Sequence, residues 1–269
     1  MTTSSTFLAG DGDGYEAQMG RWSRRLAPLF IEFAGIGAAD RVLDVGSGTG
    51  SLTFALAADP RIGSVVGVDY SPIYVEHAKR HATDGRVEFH VGDASALCLP
   101  DDGFDHSLSM LVLQFIPEPV RAVREMRRVT RPGGTVAAAT WDVRGGLVMN
   151  RIVLDTAAAI DVEARKRRGR MMSRPISLPA GLVGAWREAG LENIVQDAIT
   201  FRMEFASFDD YWMPMDGKDG PIADYLATLD GEAKARLRAL VELAYLDGEA
   251  DGPRSYAATA WVVKGTVPG

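Results

Sequence analysis

Hydrophobic positions in the first half of the chain alternate between short apolar runs and helical repeats. The runs predict buried strands over residues 42–45, 64–69, 87–91, 104–110 and 135–140. Between the last two runs, Val120, Val123, Met126 and Val129 recur at the spacing of one helix face. Strands that alternate with helices predict an α/β fold, with a doubly wound and mostly parallel sheet covered by helices on both faces.

The two ends of the chain depart from this alternation. The first dozen residues are small, polar and rich in Gly and Asp, which predicts a frayed segment before a helix over 15–33. Beyond Asp142, helices are predicted over 149–174, 178–190 and 222–246, and strands over 194–205 and 255–264. Two late strands separated by a helix predict an antiparallel edge that completes the sheet.

Length and composition predict a single domain. A chain of 269 residues, 46% of them hydrophobic and 24% charged, can bury one large core. We expect four parts within it: an N-terminal helical lid (1–35), a ligand-binding core (36–142), a variable insertion that covers the substrate (143–190), and C-terminal strands and helices (191–269).

Charge and cysteine content argue against several classes of protein. The formal net charge of −7 repels phosphate backbones, which argues against nucleic acid as a partner. The single cysteine, Cys98, leaves neither a disulfide framework nor a cysteine-rich metal cluster, and no metal is expected. Because signal-peptide features and long apolar runs are lacking, we expect a cytoplasmic protein without a membrane span. Nothing in the sequence sets an oligomeric state.

A glycine-rich turn follows the first predicted strand in the segment RVLDVGSGTGSL. A strand, a tight turn and a helix form a layout that holds a nucleotide-like ligand at the helix N-terminus. The glycines are Gly46, Gly48 and Gly50, and Ser51 stands where a dinucleotide fingerprint has its third glycine. Asp44, just before the turn, would repel a pyrophosphate but suit a ligand with an ammonium and a sulfonium group. Together these features favour S-adenosylmethionine (SAM) over NAD.

Two more carboxylates and one apolar residue follow later strands. In an open parallel sheet, ligands bind outside the carboxyl ends of the strands. Asp69 ends the second strand and can accept hydrogen bonds from both ribose hydroxyls. Asp93 after the third strand could receive the adenine amino group, and Leu111 after the fourth could cover the ligand's apolar side. A lone Asp there is usually a turn residue, but three in succession behind a glycine loop favour a ligand site.

The chain carries the motifs VLDVGSGTG, VVGVDYSP, VEFHVGDA, FDHSLSMLVLQFIPEP and RVTRPGG in this order. With them it resembles the class I SAM-dependent methyltransferases, and within these the ubiquinone/menaquinone-biosynthesis-like group, which acts on small molecules. The resemblance is strong over residues 42–142. It implies a Rossmann-like sheet of seven strands with the last strand antiparallel, SAM as cofactor and S-adenosylhomocysteine as product.

The resemblance also assigns residues to the parts of SAM. It implies Gly46, Ser47 and Gly48 at the methionine and ribose, Asp69 at the ribose, Tyr70 and Ser71 beside the adenine, and Asp93 with Ala94 at the adenine edge. Gln114 stands where the family often has a histidine, so a mechanism that needs a base there is not supported. We assign Gln114 to acceptor binding instead.

Residues outside these motifs are candidates for the lid and the acceptor site. Tyr15 and Arg21 could fold over SAM, with Arg21 on its carboxylate, or could belong to a helix that merely packs. Tyr211 and Trp212 could line an apolar acceptor pocket or could be core. Asp142 is the candidate general base, although an Asp after a strand is often only a turn residue.

A basic run stands out against the acidic composition, and it consists of Arg165, Lys166, Arg167, Arg168, Arg170 and Arg174. Such a run is usually a solvated helix face or a mobile loop, but it could also attract an anionic acceptor or an RNA. The sequence as a whole predicts a SAM-dependent methyltransferase with a small-molecule acceptor. The alternatives are a non-catalytic SAM-binding sensor or partner protein, an NAD-dependent oxidoreductase and an RNA methyltransferase.

Overall fold

Seven strands form one sheet in the computed structural model, which describes residues 5–7 and 9–269. They are β1 (Arg41–Val45), β2 (Ser64–Asp69), β3 (Val87–Val91), β4 (Phe104–Met110), β5 (Thr130–Trp141), β6 (Glu192–Phe205) and β7 (Arg254–Thr266). Their order across the sheet is β3-β2-β1-β4-β5-β7-β6. β1 to β5 pair in parallel, and β7 runs antiparallel to both of its neighbours. The predicted Rossmann-like α/β sheet with an antiparallel last strand is confirmed.

Helices connect the strands and cover the sheet. They are α1 (Gly12–Tyr15), α2 (Arg21–Ala34), α3 (Ser51–Ala57), α4 (Pro72–His81), α5 (Pro119–Val129), α6 (Val148–Ile160), α7 (Val162–Met172), α8 (Pro179–Glu188), α9 (Phe208–Trp212), α10 (Gly220–Leu226) and α11 (Gly231–Leu246). A π-helical turn, Glu16–Gly20, joins α1 to α2. Over residues 5–7 and 9–269, no helix is both long enough and apolar enough to cross a membrane.

Successive residues of the central strands feed hydrophobic clusters on opposite faces of the sheet, because side chains alternate along a strand. Val42 and Ala137 pack in one cluster with residues of α2, α3 and α6. Leu43 and Val136 pack in the other with residues of α5 and α8. Strands buried on both faces appear in a sequence as continuous apolar runs, which is why the central strands could be predicted.

The last strand does not lie at the edge of the sheet. β7 is inserted between β5 and β6, and its Ala258, Ala260, Val262 and Val263 are fully buried. β6 takes the edge instead, and most of its residues are exposed or half-buried. Charged and polar side chains on an edge strand disfavour pairing with another chain. The polar β6 therefore suits the edge of the sheet, and the apolar β7 suits its interior.

Two predicted segments have different boundaries in the structure. The helix predicted over 149–174 is two helices, α6 and α7, which meet at Asp161. The Asp161 carboxylate accepts hydrogen bonds from the backbone N–H groups of Glu163 and Ala164 and so begins α7 as its N-cap. The segment after β6, for which the sequence predicts neither helix nor strand, contains the short helix α9.

The expectation of a frayed N-terminus is wrong for the residues that the structure describes, whereas residues 1–4 and 8 lie outside them. The backbone N–H of Thr6 donates to the Phe115 carbonyl at 2.8 Å. The backbone N–H of Gly10 donates to Asp219 Oδ1 at 2.6 Å, and that of Asp11 donates to the same atom at 3.3 Å. Contacts with residues more than one hundred positions away hold this segment, and a local sequence pattern does not reveal such contacts.

Candidate functional site

The turn after β1 has the backbone conformation that glycine favours. Gly46, Gly48 and Gly50 have φ angles of +78°, +54° and +100°, in the left-handed region. A Cβ atom on Gly46 would lie 2.5 Å from Cγ1 of Val112, so side-chain bulk is excluded there. A Cβ on Gly48 would meet no heavy atom within 4 Å, because Gly48 faces open space. The first glycine is thus required by packing, and the second exposes its backbone to a cleft.

Asp69, at the end of β2, supports this turn directly. Its Oδ2 accepts a hydrogen bond from the backbone N–H of Gly48 at 2.8 Å, and its Oδ1 accepts one from that of Ser71 at 2.8 Å. Burial raises the pKa of the Asp69 carboxyl above its usual range, whereas the two N–H donors lower it. The carboxylate therefore shapes the glycine turn and also lines the cleft beside it.

Asp44, the fourth residue of β1, is 1% exposed and lies at the base of the same cleft. Its Oδ2 accepts a hydrogen bond from the Thr53 hydroxyl of α3 at 2.6 Å. Burial, together with the nearby Asp69 carboxylate, raises the pKa of Asp44 to about 7, although the hydrogen bonds from Thr53 lower it. A cation bound in the cleft would lower the pKa of Asp44 again, because an opposite charge favours the ionised carboxylate.

A cleft with an empty volume of about 930 Å³ lies over the carboxyl ends of β1, β2 and β4. Of the residues predicted to bind a cofactor, those that line it are Tyr15, Asp44, Gly46, Ser47, Gly48, Asp69, Tyr70, Ser71, Asp93, Ala94 and Leu111. No Lys, Arg or His of the described residues lines it. We call this cleft the acidic cleft.

The acidic cleft has an aromatic wall, of which sequence reasoning identified only Tyr15. Phe7, Tyr15, Tyr74 and Phe115 form it, with ring centroids 5.0 Å apart for Phe7 and Phe115 and 5.2 Å apart for Tyr15 and Tyr74. Tyr74 donates a hydrogen bond through its hydroxyl to Asp219 Oδ1 at 2.8 Å. The aromatic character of each residue is visible in the sequence, but only the fold brings positions from four separate segments together.

A second, larger cavity with an empty volume of about 1540 Å³ adjoins the acidic cleft. Phe7, Tyr15, Leu111 and Phe115 line both spaces and form the junction between them. The second cavity is lined by apolar side chains from the segments 141–164 and 171, by Gln114, and by arginines of the basic run. We call it the outer cavity.

Arg21, Tyr211 and Trp212 lie outside both spaces, in contrast to their predicted roles. The Arg21 guanidinium pairs with the Asp210 carboxylate at 2.8 Å and lies 4.4 Å from the centroid of the Trp22 ring. Tyr211 and Trp212 are 0% and 1% exposed and belong to the core, which corrects their assignment to an acceptor pocket. The sequence predicts that these large side chains are buried. It does not distinguish burial in a pocket wall from burial in the core.

Asp142 is a turn residue in the structure, and this position does not favour its prediction as a general base. Its Oδ1 accepts hydrogen bonds from the backbone N–H groups of Arg144 and Gly145, at 3.1 and 3.2 Å. It lines neither the acidic cleft nor the outer cavity. Within residues 5–7 and 9–269, no group of three or more His, Cys, Asp and Glu side chains could hold a metal ion.

Comparison with known proteins places the central segment among methyltransferases. Residues 43–138 match the family model described as "Methyltransferase domain". A demethylmenaquinone methyltransferase of Renibacterium salmoninarum is 37% identical over 124 residues, which are 46% of this chain and 49% of the relative. The 27-O-demethylrifamycin SV methyltransferase of Amycolatopsis mediterranei is 29% identical over 189 residues, or 68% of this chain and 65% of the relative.

Structural similarity extends over more of the chain than sequence similarity. A phosphoethanolamine N-methyltransferase 2 of Haemonchus contortus, solved with S-adenosyl-L-methionine, superposes with a TM-score of 0.60 at 17% identity. The match covers 96% of this chain and 57% of that one, and it concerns the fold alone. The chain spans about half the length of the curated relatives it matches, between 44% and 49% for the first four of them.

Proposed function

We propose that this chain is a SAM-dependent methyltransferase of class I, in the quinone-biosynthesis-like group, because residues 43–138 match the methyltransferase-domain model and a demethylmenaquinone methyltransferase is similar over this region. It binds SAM in the acidic cleft and transfers the methyl group to a small molecule in the outer cavity. The observation that carries the proposal is the charge of the cleft: three aspartates and no basic side chain of the described residues surround a glycine turn. Such a site suits a cationic nucleoside without phosphate.

The donor groups of the cleft fit SAM part by part. Asp44 pairs with the ammonium of the methionine portion, and Asp69 accepts hydrogen bonds from the ribose hydroxyls. The backbone of Gly46, Ser47 and Gly48 approaches the methionine and ribose. The Ser47 and Ser51 hydroxyls line the cleft, and both are buried without a hydrogen-bond partner, so polar ligand atoms would satisfy them.

The adenine lies towards the ends of β2 and β3. Tyr70 and Ser71 flank its ring, and Asp93 with Ala94 contacts its edge. Tyr70 is 53% exposed, which is unusual for an aromatic ring and is consistent with a surface that a ligand covers. Leu111 covers the apolar side of the ligand, at the junction with the outer cavity.

SAM supplies a methyl group on an already activated sulfonium, so the chain mainly has to orient the acceptor and exclude water. Orientation can account for roughly 7–11 kcal/mol of a barrier in favourable cases. Tyr15 stands at the junction, and burial raises the pKa of its phenol. It is therefore a neutral hydrogen-bond donor, not a base, at physiological pH. Gln114 lines the outer cavity and contributes to acceptor binding.

The parts of the chain divide this work. We propose one domain, in which residues 36–142 bind SAM and residues 191–269 complete the sheet. Residues 1–35 and 143–190 cover the two spaces as lid and substrate cover. Phe7 and Tyr15 from the first segment and Val143 and Leu147 from the second lie in cavity walls, which supports this division.

Isothermal titration calorimetry with SAM, S-adenosylhomocysteine and NADH tests the assignment, followed by a methyl-transfer assay on a panel of small molecules. We expect binding of SAM and its product, no binding of NADH, and transfer to at least one member of the panel. Binding of NADH without SAM would favour the oxidoreductase alternative. Binding of SAM without transfer to any acceptor would favour a sensor, although the open outer cavity supports catalysis.

A further inference from the structure

The basic run does not form a uniform solvated face. Arg167, Arg170 and Arg174 line the outer cavity, and the first two lie three positions apart on one face of α7. The other members lie outside the cavity wall. Arg168 pairs with the Asp155 carboxylate at 2.5 Å, and Arg165 donates to the Ala158 carbonyl at 3.1 Å. Half of the run is therefore directed at the proposed acceptor site.

The three cavity arginines differ in how their charge is balanced. Arg170 pairs with the Glu163 carboxylate at 3.1 Å, and Nε of Arg167 lies 3.5 Å from the same carboxylate. Arg174 forms no ion pair with any residue that the structure describes. Its guanidinium is half-buried, and burial lowers its pKa. A desolvated cation without a counter-ion favours the arrival of an anion.

Arg174 is held next to the junction of the two spaces. Its Nη1 donates a hydrogen bond to the backbone carbonyl of Gln114. The Gln114 side chain donates in turn to the Leu111 carbonyl at 2.7 Å, and its Oε1 is buried without a partner. Leu111 and Phe115, on either side, line both the acidic cleft and the outer cavity. An anion on Arg174 would thus be fixed near the point where the methyl group arrives.

Apolar side chains make up much of the remaining wall of the outer cavity. Its wall includes the side chains of Trp141, Leu147, Leu154, Met171 and Ile222. Among the described residues of this wall, Asp224 is the one carboxylate, and burial raises its pKa while the nearby Arg167 lowers it. The cavity therefore combines a large apolar surface with a positive site at one place.

We propose that the methyl acceptor is an apolar molecule with an anionic group, a carboxylate or a phosphate, which Arg174 binds and so orients for transfer. This inference rests on the proposed function, because the outer cavity is the acceptor site only if SAM occupies the acidic cleft. Arg167 and Arg170 add positive potential, while their shared partner Glu163 leaves Arg174 as the principal contact.

Two fluorescent probes with the same ring system test the inference in the full chain. 1-Anilinonaphthalene-8-sulfonate is anionic, and N-phenyl-1-naphthylamine is its neutral counterpart. We expect the wild-type protein to bind the anionic probe about tenfold more tightly, as one charge-assisted contact allows. Arg174→Gln should abolish this preference, Arg174→Lys should keep most of it, and Lys166→Gln, which removes an exposed charge of the same run, should leave it unchanged. Decanoate and decyl phosphate, as competitors, distinguish a carboxylate from a phosphate, with decanol as the neutral control.

Several results would overturn the inference. Equal binding of the two probes by the wild-type protein would do so, as would an Arg174→Gln variant that loses both probes alike, since the residue would then only support the wall. The inference would also be overturned if decanol displaced the anionic probe as well as decanoate and decyl phosphate do. A single-stranded oligoribonucleotide could bind tightly to the wild-type protein. If Lys166→Gln and Arg174→Gln weakened that binding to the same extent, the basic run would be an RNA-binding surface instead. SAM calorimetry on the same samples is a separate readout: if SAM fails to bind and the probe preference persists, the proposed function fails, and Arg174 remains an anion-binding residue whose ligand is not a methyl acceptor.

Discussion

Protonation of Asp44 should control SAM binding near neutral pH. The pKa of Asp44 is raised to about 7 by burial, and the proposed partner of the ionised carboxylate is the ligand's ammonium. An α-amino group has a pKa of about 7.7–8.0, so the ligand is cationic below that range. Binding then requires the ionised form of Asp44, and the observed affinity follows its fraction.

The magnitude follows from the titration of one group. With a pKa near 7, the ionised fraction falls from roughly three quarters at pH 7.5 to roughly 3% at pH 5.5. The affinity for SAM should therefore fall about 25-fold over this interval, or about 1.9 kcal/mol. Above pH 8 the affinity should fall again, as the ligand loses its own proton, so a maximum is expected between about pH 7 and pH 8.

The free protein should show the opposite dependence in its stability. The pKa of Asp44 is higher in the folded chain than its usual value of 3.8, so the folded state binds the proton more tightly than the unfolded state. This contribution to the free energy of unfolding is present below about pH 4 and is lost as the pH rises through about 7. Bound SAM should remove this loss of stability at pH 7.5, because the ammonium group of SAM stabilises the ionised Asp44 carboxylate.

Calorimetric titration of SAM at pH 5.5, 6.5 and 7.5, in two buffers with different ionisation enthalpies, measures both the affinity and the protons released. Asp44→Asn is the matched variant, because its amide oxygen can still accept the Thr53 hydroxyl. We expect the variant to bind weakly at pH 7.5 and to lose most of the pH dependence. An affinity that is flat with pH in the wild-type protein, or equally steep in the variant, would refute the reasoning.

Three other substitutions separate binding from folding. Asp69→Ala should weaken the binding of SAM by about 1–3 kcal/mol, because charge-assisted hydrogen bonds to the ligand are lost. It should also lower the melting temperature, since the backbone N–H groups of Gly48 and Ser71 lose their acceptor. Unchanged SAM affinity would contradict the ribose assignment. Gly46→Ala should impair folding through the contact with Val112. Gly48→Val should lose SAM binding, because its side chain would enter the cleft and valine is strained at a φ of +54°; circular dichroism checks that the variant folds, and normal calorimetry in a folded Gly48→Val variant would exclude this interpretation of the turn. Tyr211→Phe should lower the free energy of unfolding by about 1–3 kcal/mol, because the Met149 carbonyl, now at 2.7 Å from the hydroxyl, loses its donor. The last variant should leave SAM and acceptor affinities unchanged, and a selective loss of acceptor affinity would return Tyr211 to the acceptor site.

The residues of the acidic cleft were predictable because they depend on local order. Gly46, Gly48 and Asp44 surround one strand end, and Asp69 and Asp93 follow the next two strands. In a parallel sheet all of these ends lie at the same edge, so the alternation of strands and helices is enough to bring them together. Local order does not reveal the observed partner of Arg21, because Asp210 lies 189 positions away in the sequence.

The sequence by itself determined the class of fold and the acidic cleft, because hydrophobic periodicity and turn chemistry act over a few residues. Only the tertiary structure decided the rest: the insertion of β7 between β5 and β6, the aromatic wall that Phe7 joins, and the half-buried position of Arg174. Each of these depends on contacts between distant segments, whose pairing is selected by the burial of whole surfaces and leaves no local pattern. The proposed acceptor site belongs almost entirely to this second group, because segments far apart in the sequence line the outer cavity.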